Sequence, residues 1–366
     1  MKNLSDINYL KMALFLAEKA KGWTSPNPCV GTVITQEGNI LGVGFHQGPG
    51  KPHAESVAIE QAEEELSGST LYVNLEPCVH WGRTPPCTEK IIQAGIKRVV
   101  ISTLDPNPLV NQKGVGKLKE AGIEVEVGLL KEEAERLNEI YFKYITQKIP
   151  YLAVKAAVSL DGKIATKKFN SKWISSPQTR EYTHLLRGEF DAIMVGINTI
   201  IQDNPQLTVR HSNWPNKRIK RIILDSRLRF PLQAKILSTL AQGEIIIYTL
   251  ENSISEKAKF LKQKGVEIVT VSQKSGKVDL NQVLIDLGRK EISSVLVEGG
   301  GQVFSTVLSE RLTDKIFLFI SPIIIGGEKA PSFFKSERIE YLKQVYRLKN
   351  INYFTIESDI IVEGYL

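Results

Sequence analysis

Apolar positions recur at helical spacing over residues 6–21 and again over 53–66. Between them stand two short apolar runs, GTVIT (31–35) and ILGVGFH (40–46). The pattern predicts two helices flanking a pair of strands joined at Glu37-Gly38. Further strands are expected at STLYVNLEPC (69–78), KRVVIS (97–102) and IEVEVGLL (123–130). Helical spacing returns at 88–94, at GVGKLKEAG (114–122) and at 131–145. Strands that alternate with helices imply an α/β layered sheet.

The charged, Pro-terminated stretch TQKIPY (146–151) interrupts this pattern, and a new strand, YLAVKAAVS, begins within it. The expected division is into domains 1–147 and 150–366. In the second, strands are predicted at 192–196, 221–225, 244–249, 266–271, 293–299 and 315–325, with helical stretches between most of them. A second α/β domain of this length is within the range of one domain. No internal repeat or low-complexity tract is visible.

Composition narrows the class. The 366 residues are 42% hydrophobic and 24% charged, as in ordinary soluble globular chains. No apolar run approaches the roughly 18 residues of a membrane span. The N-terminal stretch lacks the unbroken apolar core of a signal peptide, so the expected location is cytoplasmic. Three cysteines do not make a disulfide framework. Residues 1–150 hold 16 Lys and Arg against 18 Asp and Glu, and the remainder 31 against 22. The first half therefore lacks the electrostatic footprint of a nucleic-acid binder. The second suits a phosphorylated small molecule, or is simply a solvated basic surface.

Candidate chemistry begins at KPHAESVAIE (51–60). This helix opens with His53 and Glu55, groups that interior packing does not favour. About twenty-five residues on, NLEPCVHWGRTPPC supplies Cys78 and Cys87. His53, Cys78 and Cys87 are three donors of the kind zinc prefers, and a vacant fourth position would take water. Zinc brings that water's pKa to about 7. Glu55 would not ligate; it would move the water's proton to a leaving amine. His-x-Glu followed by Pro-Cys…Cys is the signature of zinc-dependent nucleobase deaminases. Those enzymes space the cysteines C-x-x-C, whereas eight residues intervene here. The Gly and two Pro of VHWGRTPP permit a loop that brings the pair together. His80, inside that loop, is a competing ligand, and a structural zinc with His80 as fourth donor is the alternative. Cys29 reads as a core residue.

SPNPCVG, PHAE, EPCVHWGRTPPCTEKI, DPNP and SLDGKIA together resemble the bifunctional riboflavin-biosynthesis deaminase–reductases of bacteria. The likeness spans nearly the whole chain, and the long inter-cysteine loop is that family's own form. The resemblance implies a cytidine-deaminase-like α/β/α domain with a mixed sheet, followed by a dihydrofolate-reductase-like α/β domain. It implies zinc-dependent deamination of a diaminopyrimidinone ribotide 5′-phosphate, then reduction of the ribosyl chain by NADPH. The family's zinc ligands fall on His53, Cys78 and Cys87, with one zinc per chain, and its proton shuttle falls on Glu55. Asn27, in the PNP turn, is placed in the pyrimidine pocket or is merely a turn residue. The expected partners are a small pyrimidine ribotide and copies of the same chain, as dimer or tetramer, with no nucleic acid and no membrane.

In the second half, SSVLVEGGGQVFST (293–306) runs from a strand through three glycines towards a helix. Helix N-termini suit phosphate, although this is not the G-x-G-x-x-G fingerprint and a flexible turn reads equally well. By the resemblance, NADP contacts fall on Ala157, Trp173, Thr199, Asp203 and Ser226, and on Gly300, Gly301, Gln302, Val303, Phe304, Ser305 and Thr306. Substrate contacts fall on Ser171, Arg187, Leu207, Arg210 and Glu298. Two guanidinium forks match phosphate oxygens, and a surface ion pair is the plainer reading of either. Lys155 lies mid-strand among apolar neighbours. It is either a buried group available to the reduction, with Asp203, or an edge-strand residue facing solvent. Two rivals share some of these features: a nucleic-acid deaminase with an appended domain, and a non-enzymatic zinc module on a ligand-binding domain. The charge of residues 1–150 argues against the first, and Glu55 against the second.

Overall fold

Alternating side chains of one mixed sheet build two cores in the first half of the chain. The computed structural model describes residues 2–81, 85–250, 255–335 and 339–366. Contacts divide the chain into Met1–Lys148 and Ile149–Leu366. The first unit holds β1 (Gly31–Gln36), β2 (Asn39–Phe45), β3 (Thr70–Leu75), β4 (Arg98–Thr103) and β5 (Glu124–Val127), in the order β2-β1-β3-β4-β5. β1 is antiparallel to β2 and β3, while β3, β4 and β5 run parallel. Val33, Tyr72 and Val100 face α1 (Lys2–Glu18), packing on Leu10, Ala13 and Leu16. Their neighbours Ile34, Leu71, Val73, Val99 and Ile101 face the other way. They pack on α2 (Ala54–Gln61), α3 (Cys87–Gln93) and α4 (Lys113–Glu120) through Ala58, Ile91 and Leu118. Each such fully buried aliphatic side chain contributes about 1.5–3 kcal/mol.

One predicted helix ends early and another is broken in two. The helix expected over 53–66 stops at Gln61, and Ala62 is already extended. The helix expected over 131–145 is two, α5 (Lys131–Leu137) and α6 (Glu139–Gln147), broken at Asn138. The Asn138 side chain accepts from the Cys29 amide at 2.7 Å and donates to the Cys29 carbonyl at 3.0 Å. A side chain that completes a distant loop's backbone bonds in this way competes with helix continuity.

The second unit is built on a nine-stranded sheet. Its strands are β6 (Tyr151–Ser159), β7 (Ala192–Gly196), β8 (Lys220–Leu224), β9 (Ile245–Leu250), β10 (Glu267–Val271), β13 (Ser294–Gly299), β14 (Lys315–Ser321), β15 (Lys349–Ile356) and β16 (Asp359–Tyr365). The order is β10-β9-β8-β7-β13-β6-β14-β16-β15, and β11 (Gln273–Lys274) with β12 (Lys277–Val278) forms a separate small hairpin. All pairs from β10 to β14 are parallel, and the β14–β16 and β16–β15 pairs are antiparallel. The crossovers carry α7 (Pro177–Gly188), α8 (Ile197–Asp203), α9 (Glu256–Gln263), α10 (Leu280–Arg289) and α11 (Gly301–Ser309). One face of the sheet buries Leu152, Val154, Met194 and Val295, and the other Ile193, Val195, Ile223 and Ile247.

Three differences from the sequence reading have physical causes. β14 ends at Ser321, not 325, because Pro322 has no amide hydrogen for the ladder. The hairpin β15–β16 was not anticipated: β15 is an edge strand with mostly exposed residues on both faces, so it lacks an apolar alternation. β6 lies between β13 and β14, which removes the edge-strand reading of Lys155. Among the described residues, no helix is long and apolar enough to cross a membrane.

Candidate functional site

The first candidate centre lies where α2 and α3 begin. A Cβ on Gly44 would sit 2.2 Å from the Ala54 carbonyl oxygen, and one on Gly42 equally close to that of Ala58. Only glycine lets α2 settle so tightly onto β2. This contact fixes His53, the residue before the first turn, and Glu55 within it. Cys78 follows β3, and Cys87 is the first residue of α3. The Thr88 amide and hydroxyl both donate to the Cys78 carbonyl at 3.2 Å, closing the inter-cysteine loop on itself. Gly82, Arg83 and Thr84 of that loop lie outside the described residues.

The donor atoms of His53, Cys78 and Cys87 all lie within 4.8 Å of one another. His53 Nδ1 is 3.2 Å from Cys87 Sγ and 3.6 Å from Cys78 Sγ, and the Cys87 amide donates to Cys78 Sγ at 3.4 Å. A hydrogen bond from the Cys87 thiol holds the Cys78 thiol below its ordinary pKa, and the same contact pushes Cys87 up. The Cys78 contact raises the His53 imidazole. These groups share protons where a soft divalent cation would replace them. One imidazole and two sulfurs suit zinc and leave a tetrahedral corner for a reactant. His80 is exposed and is not part of the group. Glu55 is buried beside Cys87, and burial raises its carboxyl pKa. A carboxyl held nearer neutrality serves better as a proton carrier.

Asn27 enters this centre through a residue the sequence reading missed. The His46 ring is buried, edge-on to His53 with centroids 5.4 Å apart. One ring nitrogen is 3.1 Å from the Pro52 carbonyl, and the other 3.1 Å from Asn27 Nδ2. The carbonyl requires Nδ1–H, which leaves Nε2 to accept from Asn27. Nothing in the spacing of GFHQG marks this residue. Glu76 of the EPC motif is structural. Its carboxylate accepts from the amides of Asp105, Gln112 and Val115 at 3.0–3.2 Å, ordering the start of α4. Cys29 is buried in the core, its Sγ 3.4 Å from the Thr24 hydroxyl.

The second candidate centre is a groove of about 1770 Å³ in the second unit. It gathers every residue of this unit named above as a cofactor, substrate or reduction candidate. Lys155 and Ala157 come from β6, Arg187 from α7, Thr199 and Asp203 from α8, and Glu298 from β13. Ser171 and Trp173 precede α7, Leu207 and Arg210 follow α8, Ser226 follows β8, and 300–306 form the turn into α11. Gly300 has φ 88°, and a Cβ on Gly299 would meet Thr199 Oγ1 at 2.7 Å. The turn into α11 therefore needs its glycines, and it faces the groove with free helix-start amides.

Charge in the groove is organised around Glu298. Arg187 donates Nε and Nη2 to its two carboxylate oxygens at 2.6 and 2.7 Å, and Nη1 to the Thr208 carbonyl at 2.9 Å. The fork of Arg187 is thus occupied by a buried carboxylate. The Lys155 nitrogen sits 4.6 Å from the centre of the Phe319 ring. Burial lowers its pKa to about 8, opposed by Glu298. The Asp203 carboxylate accepts from the Ser171 hydroxyl at 3.3 Å, and burial raises its pKa. Arg180 stacks on the exposed Trp173 indole at 4.4 Å.

Comparison with known proteins matches both halves. Residues 4–103 fit the "Cytidine and deoxycytidylate deaminase zinc-binding region", and residues 150–362 the "RibD C-terminal domain". The chain is therefore a deaminase domain of the zinc-binding type joined to a reductase domain. It is 51% identical to the riboflavin biosynthesis protein RibD of Aquifex aeolicus over 88% of each chain. It is 37% identical to that of Escherichia coli over 89% of this chain and 90% of the other. A solved Acinetobacter baumannii RibD superimposes with a TM-score of 0.89 at 36% identity, covering 99% of both chains. A Thermotoga maritima structure described as a diaminohydroxyphosphoribosylaminopyrimidine deaminase/5-amino-6-(5-phosphoribosylamino)uracil reductase matches with a TM-score of 0.87 at 37% identity. It covers 100% of this chain and 99% of that one. The chain belongs to the RibD family of riboflavin biosynthesis.

Proposed function

We propose that this chain catalyses two successive steps of riboflavin biosynthesis. The first unit deaminates a diaminopyrimidinone ribotide 5′-phosphate to the matching uracil. The second reduces the ribosyl side chain of that product to a ribityl chain. The convergence of His53, Cys78 and Cys87 beside a buried Glu55, within a domain of the deaminase type, carries this reading.

His53, Cys78 and Cys87 would hold one zinc per chain, which would supply a Lewis acid for activating water near neutral pH. Glu55 accepts the proton that water gives up on attacking the amine-bearing ring carbon. It returns a proton to the departing nitrogen, which leaves as ammonia. Asn27, oriented by His46, presents its free carbonyl to the pyrimidine. In the groove, NADPH would supply the hydride. Ala157, Trp173, Thr199, Asp203, Ser226 and residues 300–306 hold the cofactor. Ser171, Leu207, Arg210 and the Arg187–Glu298 pair hold the ribotide. Lys155 holds a proton at Nζ and releases it to the nitrogen of the opened ribosylimine as C1′ takes the hydride. A cytoplasmic setting would keep Cys78 and Cys87 reduced and supply NADPH. Copies of the chain are proposed to assemble as a homo-oligomer.

The test feeds the diaminopyrimidinone ribotide to the purified protein, with and without NADPH. Ammonia should appear without NADPH, and NADPH oxidation should follow only after deamination. NADPH oxidation with no ammonia release would overturn the order of steps.

A further inference from the structure

Two arginines line the groove, and one carboxylate serves them unequally. Glu298 engages both prongs of the Arg187 fork. Among the described residues, Arg210 has only neutral acceptors: Thr208 Oγ1 at 2.6 Å and Gln206 Oε1 at 3.3 Å, both on Nη1. Burial and the neighbouring Arg187 charge both lower its pKa. A guanidinium in that position gains most from an incoming anion.

His184, on α7 one turn before Arg187, lies along the whole length of Arg210. The Arg210 backbone amide donates to His184 Nδ1 at 3.2 Å, and Arg210 Nη2 lies 3.1 Å from His184 Nε2. Arg187 Nη1 also approaches Nδ1, at 3.4 Å. An amide can only donate, so Nδ1 accepts and the ring proton sits on Nε2. Nε2–H and the Nη2 hydrogens of Arg210 then face each other. Two donors at this separation are best satisfied by one acceptor seated against both, and a phosphate oxygen is such an acceptor. Burial, then Arg187 and Arg210, lower the pKa of the imidazole to about 4, against smaller opposing effects of Glu298 and the Thr208 backbone. The neutral ring thereby keeps its accepting lone pair on Nδ1.

We infer that His184 is a phosphate-recognition residue of the reductase groove: it aims Arg210 and donates Nε2–H to the same phosphate oxygen of the ribotide. This rests on the groove's proposed role as the ribotide site, and the division of labour goes beyond it. Arg187 is held by Glu298 as a framework pair; Arg210 and His184 form the anion seat. The second half's excess of Lys and Arg agrees in sign.

The experiment compares reduction of the deaminated ribotide with reduction of its riboside, which lacks the phosphate. His184→Ala should raise KM for the ribotide about tenfold, the scale of a hydrogen bond to a charged group, with kcat changed less than about twofold. The same substitution should leave KM for the riboside and for NADPH unchanged. His184→Gln, which keeps one donor and one acceptor, should recover part of the loss. Equal losses on ribotide and riboside would show a merely structural role and overturn the inference, as would unchanged ribotide kinetics. Arg210→Ala, measured in parallel, separates the two levels. If its KM effect is the same on both substrates, the phosphate does not lie at Arg210 and the underlying reading fails. If it affects only the ribotide while His184→Ala affects neither, only the role of His184 fails. NADPH binding by His184→Gln checks that the groove is folded.

Discussion

The two candidate centres are built on opposite plans. The deaminase centre gathers its donors from one short stretch: His53 and Cys87 are 34 positions apart, and both stand where a helix begins at the sheet. The reductase groove draws on most of its unit, and its central pair, Arg187 and Glu298, is 111 positions apart. The first centre is a cluster of like, proton-sharing ligands that wants a cation. The second is a framework of compensated charges with one arginine left to neutral partners, and it wants an anion. A local site can be carried by helix starts. A distributed one depends on the whole sheet order being right.

That contrast can be broken most sharply at Glu55. Glu55→Gln should reduce ammonia release by about 10²–10⁴-fold, the usual scale of acid–base catalysis. Metal content by elemental analysis, and NADPH-dependent reduction of the deaminated product, should both be retained. Loss of metal along with activity would mean that Glu55 belongs to the ligand set.

The next largest effect is on stability. Glu298→Ala leaves the Arg187 guanidinium buried without its carboxylate, at a cost of about 3–5 kcal/mol. Thermal unfolding of the reductase unit should shift down accordingly, and ammonia release at temperatures below that transition should not change. An unchanged melting temperature would show that the pair is solvated.

Lys155 makes the two centres differ in pH response. Its folded pKa is about 8, below the 10.5 of an exposed lysine. The ammonium that the proposed proton donation requires is therefore present below about pH 8 and lost above it. Reduction should fall as pH rises through about 8, while deamination keeps its own profile. For stability the sign is opposite. Between pH 8 and 10.5 the unfolded chain binds the extra proton, so this group's contribution to stability rises with pH across that window. Lys155→Met should abolish the alkaline limb of reduction and stabilise the fold at neutral pH. A limb that survives in Lys155→Met belongs to another group.

The smallest effect is at the start of α7, the helix that carries His184 and Arg187. Ser176 Oγ accepts from the Thr179 amide at 3.2 Å, capping the helix ahead of Pro177. Ser176→Ala should cost about 1 kcal/mol, visible as a small fall in the reductase unit's denaturation midpoint. No change at all would indicate that water replaces the cap.

Sequence and structure meet unevenly in the details. The strands and most helices were legible because apolar periodicity reports burial directly. The His/Cys/Cys group was legible because few residue types ligate metal and their order is restricted. His46 was not: a histidine after a strand has many uses, and only its contacts to Pro52, Asn27 and His53 single it out. Asn138 likewise reads as mid-helix until Cys29 arrives beside it. The edge strand β15 lacks a buried face and so left no pattern to read.

By itself the sequence determined the two α/β units, the His53, Cys78 and Cys87 group that could hold a metal, and the carboxylate beside it, because these follow from local periodicity and from a short list of donor chemistries. The tertiary structure alone decided that Lys155 is central, that Glu298 neutralises Arg187, and that His184 is laid along Arg210. The reason is physical. Pairing of charges depends on distance in space, and strand order, which the linear pattern does not encode, sets that distance.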